Sequence, residues 1–304
     1  DLSRIDRPGV LKANQYINGV LTQTYTDQEN HVGVIAATRL GKTTSYVIPT
    51  VLSFANQLKK RSMIISDPKG EIYRYTAQTL KEKGYKVKLL NFRNYLNSEC
   101  WNMLTPIFRK YRSIGKVEEE VGIVSVGNKM KNIFRGKIYD RQNELDRDIE
   151  TVKEMRKEEV SNDIDDVARM LIITEDKSDP YWEDSARDLL KAFLWAMLED
   201  SSEEKGKAAI TEDTYSFSTI FRIVATFKDG NSTIYDDRGY FSDRSTDSQA
   251  YIFAKNTLLE NGTTTRKCVM GTFITKLSVL RESTMRLITS CNSFEISELA
   301  EGPI

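Results

Sequence analysis

A single histidine, His31, stands in the 304 residues of this chain. It sits at an expected strand start and reads as structural, so neither histidine acid/base chemistry, a Ser/His/Asp or Cys/His nucleophile nor a histidine-built metal site is expected. The three cysteines, Cys100, Cys268 and Cys291, are few, odd in number and far apart. Neither a disulfide framework nor a zinc spacing follows from them, and a reducing compartment fits best. No apolar run has the length needed to cross a bilayer. Net charge is missing too, with 44 basic against 44 acidic side chains. Any contact with nucleic acid must therefore come from a local basic patch rather than from the overall field. The chain starts at Asp1 with no signal peptide in view. It is expected to begin partway through a longer product or to have been trimmed, and so to have lost a membrane anchor.

What is present is an ordinary globular composition, 39% hydrophobic and 29% charged, long enough for a sizeable core in one large domain or two. The most informative stretch is His31–Thr50. An apolar run (Val32, Val34, Ile35) gives way to Thr38-Arg39-Leu40, then Gly41-Lys42-Thr43, and helix-compatible residues from Thr44 follow at once. Strand, loop, Gly-Lys-Thr and helix in that order make a phosphate-binding loop. Backbone N–H groups and a helix N-terminus face the anion, Lys42 reaches the outer phosphates, and the Thr43 hydroxyl holds Mg²⁺. The alternative is a chance Gly-Lys-Thr, against which both flanks argue. One departure is Ala36, where the full pattern has glycine; alanine resists a left-handed backbone, so a reshaped loop entrance is expected.

Residues 1–30 read as an irregular entry or short edge element, broken at Pro8-Gly9. The helix after the loop is expected over about 41–56, kinked by Pro49. Ser62–Asp67 reads as a short strand ending in an acid, and strand C-terminal ends face the ligand crevice of an open α/β sheet, which puts Asp67 near the nucleotide. Its alternative role is a strand-end cap. A helix over 71–83 and a strand over 85–92 complete the pattern, and three strands alternating with two helices predict a parallel α/β sheet.

The run TRLGKTTSYVIPT, then SMIISDPKGE, YKVKLLNF and the CWNMLTP turn resembles the coupling-protein ATPases of type IV secretion and bacterial conjugation, the TraG/TraD class. The likeness is strong over 31–106 and diffuse afterwards, with an Asp-Pro-x-Trp-Glu helix opening at 179–183 in support. It implies a RecA-like P-loop NTPase sheet, incomplete in this chain, with a large all-α domain. The implied domains are 1–106, the N-terminal half of the nucleotide-binding domain; 107–290, all-helical; and 291–304, the return to the first. It implies ATP and Mg²⁺ as cofactors, bound by Thr38, Arg39, Leu40, Gly41, Lys42, Thr43 and Thr44. Asp67, Lys69 and Glu71 would sit beside the nucleotide or at a subunit boundary. It also implies a homohexamer in the full-length, membrane-anchored form at the cytoplasmic face of the cell membrane. Such a ring receives a relaxase or relaxosome carrying single-stranded DNA and passes it to the type IV secretion channel proteins.

From Pro106 the character is helical. Arg109, Lys110, Arg112, Lys116, Lys129, Lys131, Arg135 and Lys137 are interleaved with Phe108, Tyr111, Phe134 and Tyr139. The pattern suits either a solvated helical face or a strand-tracking nucleic-acid patch. Residues 138–160 carry both signs at helical spacing, as an exposed helix or coiled hairpin does. Met170–Asp176 invites a reading as the acidic strand of a magnesium site, but the spacing of Ile164, Val167 and Leu171 favours a helix end. Further helices are expected from Asp179 and at about 214–227, 246–260 and 264–282, with a surface excursion over 228–245.

No apolar strand ending in Asp-Glu follows the helical region, and without a carboxylate to orient water a phosphate loop hydrolyses slowly. The expectation is that the catalytic acid pair lies beyond Ile304. Two rival functions remain at this stage, a DNA translocase of the HerA/FtsK type and a non-hydrolysing adaptor that binds protein cargo.

Overall fold

The computed structural model describes residues 11–25, 31–35, 37, 40–57, 60–174, 179–201, 210–227 and 239–303. The chain divides into two compact units, Asp1–Leu90 with Phe294–Ile304, and Asn91–Ser293.

The first unit opens with a hairpin of β1 (Leu11–Ile17) and β2 (Val20–Tyr25), antiparallel and closed on the pair Ile17–Val20. The two loop residues have positive φ, Asn18 at 51° and Gly19 at 77°, the turn an Asn-Gly pair makes between twisted strands. After the loop a π-helical turn, Thr43–Val47, runs directly into α1 (Ile48–Ala55). The expected kink takes this form. Pro49 has no N–H to donate and falls in the first turn of α1, while Ile48 N–H reaches back to Thr43 O across the wider turn. α2 (Glu71–Glu82) packs on α1 and on the 43–47 turn, around Val51, Ala55, Ile72, Leu80 and Tyr85. The last residues belong to the same unit. Lys86 N–H donates to Pro303 O at 3.1 Å, and Ser62 Oγ to Leu299 O at 2.6 Å.

The parallel sheet expected from 32–35, 62–67 and 85–92 is not formed among the described residues, whose sheets are both antiparallel. A parallel sheet holds when helices bury both of its faces. Here Met63, Tyr85 and Val87 pack on the two helices, whereas Val32 and Val34 are exposed, Ile64 is 85% exposed and Ile35 fully so.

The second unit is organised on α5 (Pro180–Glu199). Its run Ala192–Leu198 is buried on every side, the mark of a central helix. Around it lie α3 (Thr105–Ile114), α4 (Gln142–Leu171), α6 (Phe217–Thr226), α7 (Gly239–Ser242), α8 (Gln249–Ala254) and α9 (Thr263–Lys276). Phe193 is the hub of an aromatic cluster, with ring centroids 5.2 Å from Phe241, 5.5 Å from Phe273, and 6.0 Å from Phe227 and Tyr240. Asp179 caps α5, its carboxylate accepting from Tyr181 N–H at 3.1 Å, with Pro180 in the first turn. Loss of such a cap costs about 1 kcal/mol. Asp179→Ala is therefore expected to lower the urea midpoint of the chain without changing the slope of the transition.

The segment 107–290, expected to be all-helical, is helical apart from a meander of β3 (Gly122–Val126), β4 (Lys129–Phe134) and β5 (Lys137–Tyr139), all antiparallel. Phe134 and Tyr139 pin it to Leu145, Ile149 and Val152 of α4. The ions of α4 reach other elements, with Lys153 2.5 Å from Glu118 and Arg156 2.6 Å from Glu120. α4 ends at Leu171 with Ile172 fully buried, the helix-end reading of that stretch; Glu175 and Asp176 lie outside the described residues. Of the expected 228–245 excursion only 239–245 falls among them, as α7 and a turn.

The way into and out of this unit is fastened by side chains. Asn102, 1% exposed, donates to Tyr215 O at 2.8 Å and accepts from Leu104 N–H at 3.1 Å just ahead of α3. Asn102 N–H donates to Asn292 Oδ1 at 2.8 Å, while Asn292 Nδ2 donates to Thr105 Oγ1 at 2.8 Å. Cys100 and Cys291, far apart in sequence, meet here as free thiols. Burial and the Cys291 thiol push Cys100 up to about 11, so it stays protonated and inert at neutral pH.

Candidate phosphate-binding site

The site is built where an irregular loop gives way to the helix of the first unit. Gly41 sits at φ +75°, a left-handed conformation that side chains resist, and a Cβ added there would lie 3.2 Å from Ser45 Oγ. That geometry turns the chain so that Ser45 N–H closes on Gly41 O at 2.7 Å and Thr44 Oγ1 donates to the same carbonyl at 3.2 Å. Lys42 is the helical residue preceding the turn, and its Nζ crosses the loop to donate to Ala37 O at 3.1 Å. The Thr43 hydroxyl makes no hydrogen bond among the described residues. The first N–H groups of a helix have no intrahelical acceptors, and the helix dipole adds positive charge at the same end.

A glycine whose missing Cβ keeps the turn tight, a lysine lying over the loop, a spare hydroxyl and helix-start donors together match what Mg²⁺ and a chain of phosphates require. Thr43 would hold the metal, and Gly41, Lys42 and Thr44 would line the phosphates. Leu40 is an exposed bend residue. Thr38, Arg39 and Ala36 lie outside the described residues. Gly41→Ala is expected to cost about 1–2 kcal/mol of strain, read as a lower melting temperature together with weaker nucleotide affinity.

Asp67 has a definite structural task. Its Oδ2 accepts from Tyr73 N–H at 2.9 Å and its carbonyl from Gly70 N–H at 3.2 Å, with Gly70 at φ +72° opening α2. It caps the start of α2 from outside rather than the end of a strand, since 62–67 forms none. Glu71 stands in the first turn of α2, where a negative charge suits the helix N-terminus. Lys69 is exposed. Sequence reasoning did not single out Ala37 O or Ser45 N–H, because backbone groups leave no residue-type signal.

Much of the interleaved basic and aromatic set is engaged within the fold. Phe108, Phe134 and Tyr139 are buried. Arg109 pairs with Glu212 at 2.6 Å, Lys110 with Asp163 at 2.6 Å, Lys131 with Asp140 at 2.8 Å and Lys137 with Asp148 at 3.0 Å. A helix places Phe108 and Tyr111 on one face and the meander does the same for Phe134 and Tyr139, so the rings serve the core while four of the eight cations neutralise neighbours.

Two recesses of about 350 and 440 Å³ open in the second unit, the first beside Arg244 and Glu199, the second beside Trp182 and Lys276. Arg244 is already held by Glu199 at 3.2 Å and Asp200 at 2.7 Å. In the second, Lys276 is held by Glu183 at 3.2 Å, and no group of three or more metal-ligating side chains occurs among the described residues. The phosphate loop therefore remains the candidate on chemical grounds.

The family model for type IV secretory system conjugative DNA transfer matches residues 2–304. The chain belongs to this family. Its role accordingly lies in conjugative DNA transfer, with DNA and type IV secretion components as the partners that role implies. No curated protein and no solved structure matches the chain. Among the described residues, no helix of this conjugation protein is long and apolar enough to cross a membrane.

Proposed function

We propose that the chain is the nucleotide-driven coupling component of a conjugation apparatus, with a RecA-like unit that binds Mg-ATP and a helical unit that receives cargo. The observation that carries this reading is the left-handed Gly41 beside Lys42 and the spare Thr43 hydroxyl, in a member of the conjugative DNA transfer family. Lys42 exchanges its hydrogen bond with Ala37 O for the outer phosphates, so the loop is held in shape by the same side chain that later grips the nucleotide. Helix-start N–H groups orient the phosphate chain, and the Thr43 hydroxyl holds Mg²⁺, which neutralises charge on the oxygens. Asp67 keeps the start of α2 rigid behind the site.

The helical unit, entered at Asn102 and left at Asn292, is the docking body for a relaxase attached to single-stranded DNA, which is then passed to the secretion channel. The assembled form is a homohexamer at the cytoplasmic face of the membrane. The whole chain, immobilised, is expected to retain the relaxase of its own mating system in preference to an unrelated DNA-binding protein. Retention of neither, together with binding of bare duplex, would favour a stand-alone translocase.

A further inference from the structure

The meander of the second unit leaves one edge and one face uncovered, for reasons independent of the nucleotide site. Strand order is β3-β4-β5, so β3 is an edge, and no described residue pairs with its outer side. The loop Gly127-Asn128 closes on the pair Val126–Lys129. In a two-residue hairpin that closing pair exchanges both backbone bonds, and alternation leaves the N–H and C=O of Ile123 and Ser125 pointing outward. Exposed edges are usually guarded by a charge, a proline or a bulge. β3, Gly-Ile-Val-Ser-Val, has no charged residue or proline and pairs with β4 in unbroken register.

Side chains around this edge are apolar and wet. Ile123 is 65% exposed and Met130 77%, where the meander overhangs α4, and Val126 and Ile138 are exposed on the opposite face. Of the acids Glu118–Glu120 ahead of β3, Glu118 and Glu120 are held by Lys153 and Arg156 and Glu119 makes no ion pair among the described residues, so it offsets only part of the basic charge beside the strand. Lys131 and Lys137 are neutralised by Asp140 and Asp148, whereas Lys129 and Arg135 make no ion pair among the described residues. We propose that the β3 edge is a strand-addition site that takes an extended, acidic and apolar segment of a partner protein as a fourth strand. Main-chain bonds to Ile123 and Ser125 supply affinity, alternate side chains pack on Ile123 and Val126, and Lys129 and Arg135 select for negative charge.

The probe is a short fluorescein-labelled peptide alternating valine with glutamate, titrated into the whole chain beside a counterpart carrying lysine for glutamate. The glutamate peptide is expected to bind about tenfold or more tightly than the lysine peptide at low salt. Ser125→Pro removes an outward N–H and spares the β3–β4 ladder, the setting in which an edge strand accepts proline; it should abolish binding while leaving circular dichroism unchanged. Should Ser125→Pro fail to fold, the Lys129→Glu, Arg135→Glu pair is expected to reverse the preference between peptides. Equal binding of both peptides, no binding of either, or full binding by well-folded Ser125→Pro would overturn the proposal. So would a concentration-dependent dimer lost in that variant, which would make a second copy of this chain the occupant.

Discussion

Lys42→Ala is expected to weaken Mg-ATP binding by roughly tenfold to a hundredfold, because a charge-assisted hydrogen bond contributes about 1.5–3 kcal/mol and each 1.4 kcal/mol is a factor of ten. The variant also loses the bond from Nζ to Ala37 O that shapes the loop. Two effects thus add, a missing cation on the phosphates and a loop no longer organised for them. Isothermal titration with Mg-ATP and with ADP separates the two. Loss of the outer-phosphate contact penalises ATP more than ADP, whereas a disordered loop penalises both equally. Affinity for ATP unchanged in Lys42→Ala would remove this residue from the site.

Phe193→Ala should do the greatest damage to stability. The ring is fully buried on α5 and touches Phe227, Tyr240, Phe241 and Phe273, which come from three other stretches of chain. Truncation of such a side chain costs about 3–5 kcal/mol through lost burial and the cavity left behind. That is a large share of the stability of an ordinary domain, about 5–15 kcal/mol. Melting of the helical unit, followed by near-ultraviolet circular dichroism of its tyrosines and tryptophans, is expected to shift sharply downward. Nucleotide binding at Gly41–Thr43 should be affected much less, because that site lies in the other compact unit.

These two positions show what the residues disclosed in advance. Phe193 was legible from the spacing of Ala186, Leu189, Leu190, Phe193, Leu194 and Met197, and the Asp-Pro pair before it marked the helix start. The additional burial of Trp195, Ala196 and Leu198 was not, since a helix surrounded on all sides has no periodic face to detect. The turn at Gly41 into a helix was legible from glycine followed by helix-compatible residues, although the apolar run 32–35 ahead of it forms no strand among the described residues. The π-turn through which the expected break at Pro49 is made was not, because it depends on how Ile48 N–H finds Thr43 O.

The meander was misread for a concrete reason. Lys129, Lys131, Phe134, Lys137 and Tyr139 drew attention as charge and aromatic content, while the turn signals Gly127-Asn128 and Arg135-Gly136 carried the structural information. Asn18-Gly19 was a similar signal in the first unit. The sheet expected from 32–35, 62–67 and 85–92 rested on apolar runs and on alternation with helices. Such runs specify strands only where a partner strand and a second covering layer are at hand.

The most direct test of the account follows amide hydrogen exchange in the whole chain with and without Mg-ATP. Protection is predicted over residues 37–47, with a smaller effect over 67–73 behind it, and its loss in Lys42→Ala. Protection confined to the helical unit, or none at saturating Mg-ATP, would contradict the claim that this conjugation protein grips a nucleotide at Gly41–Thr43.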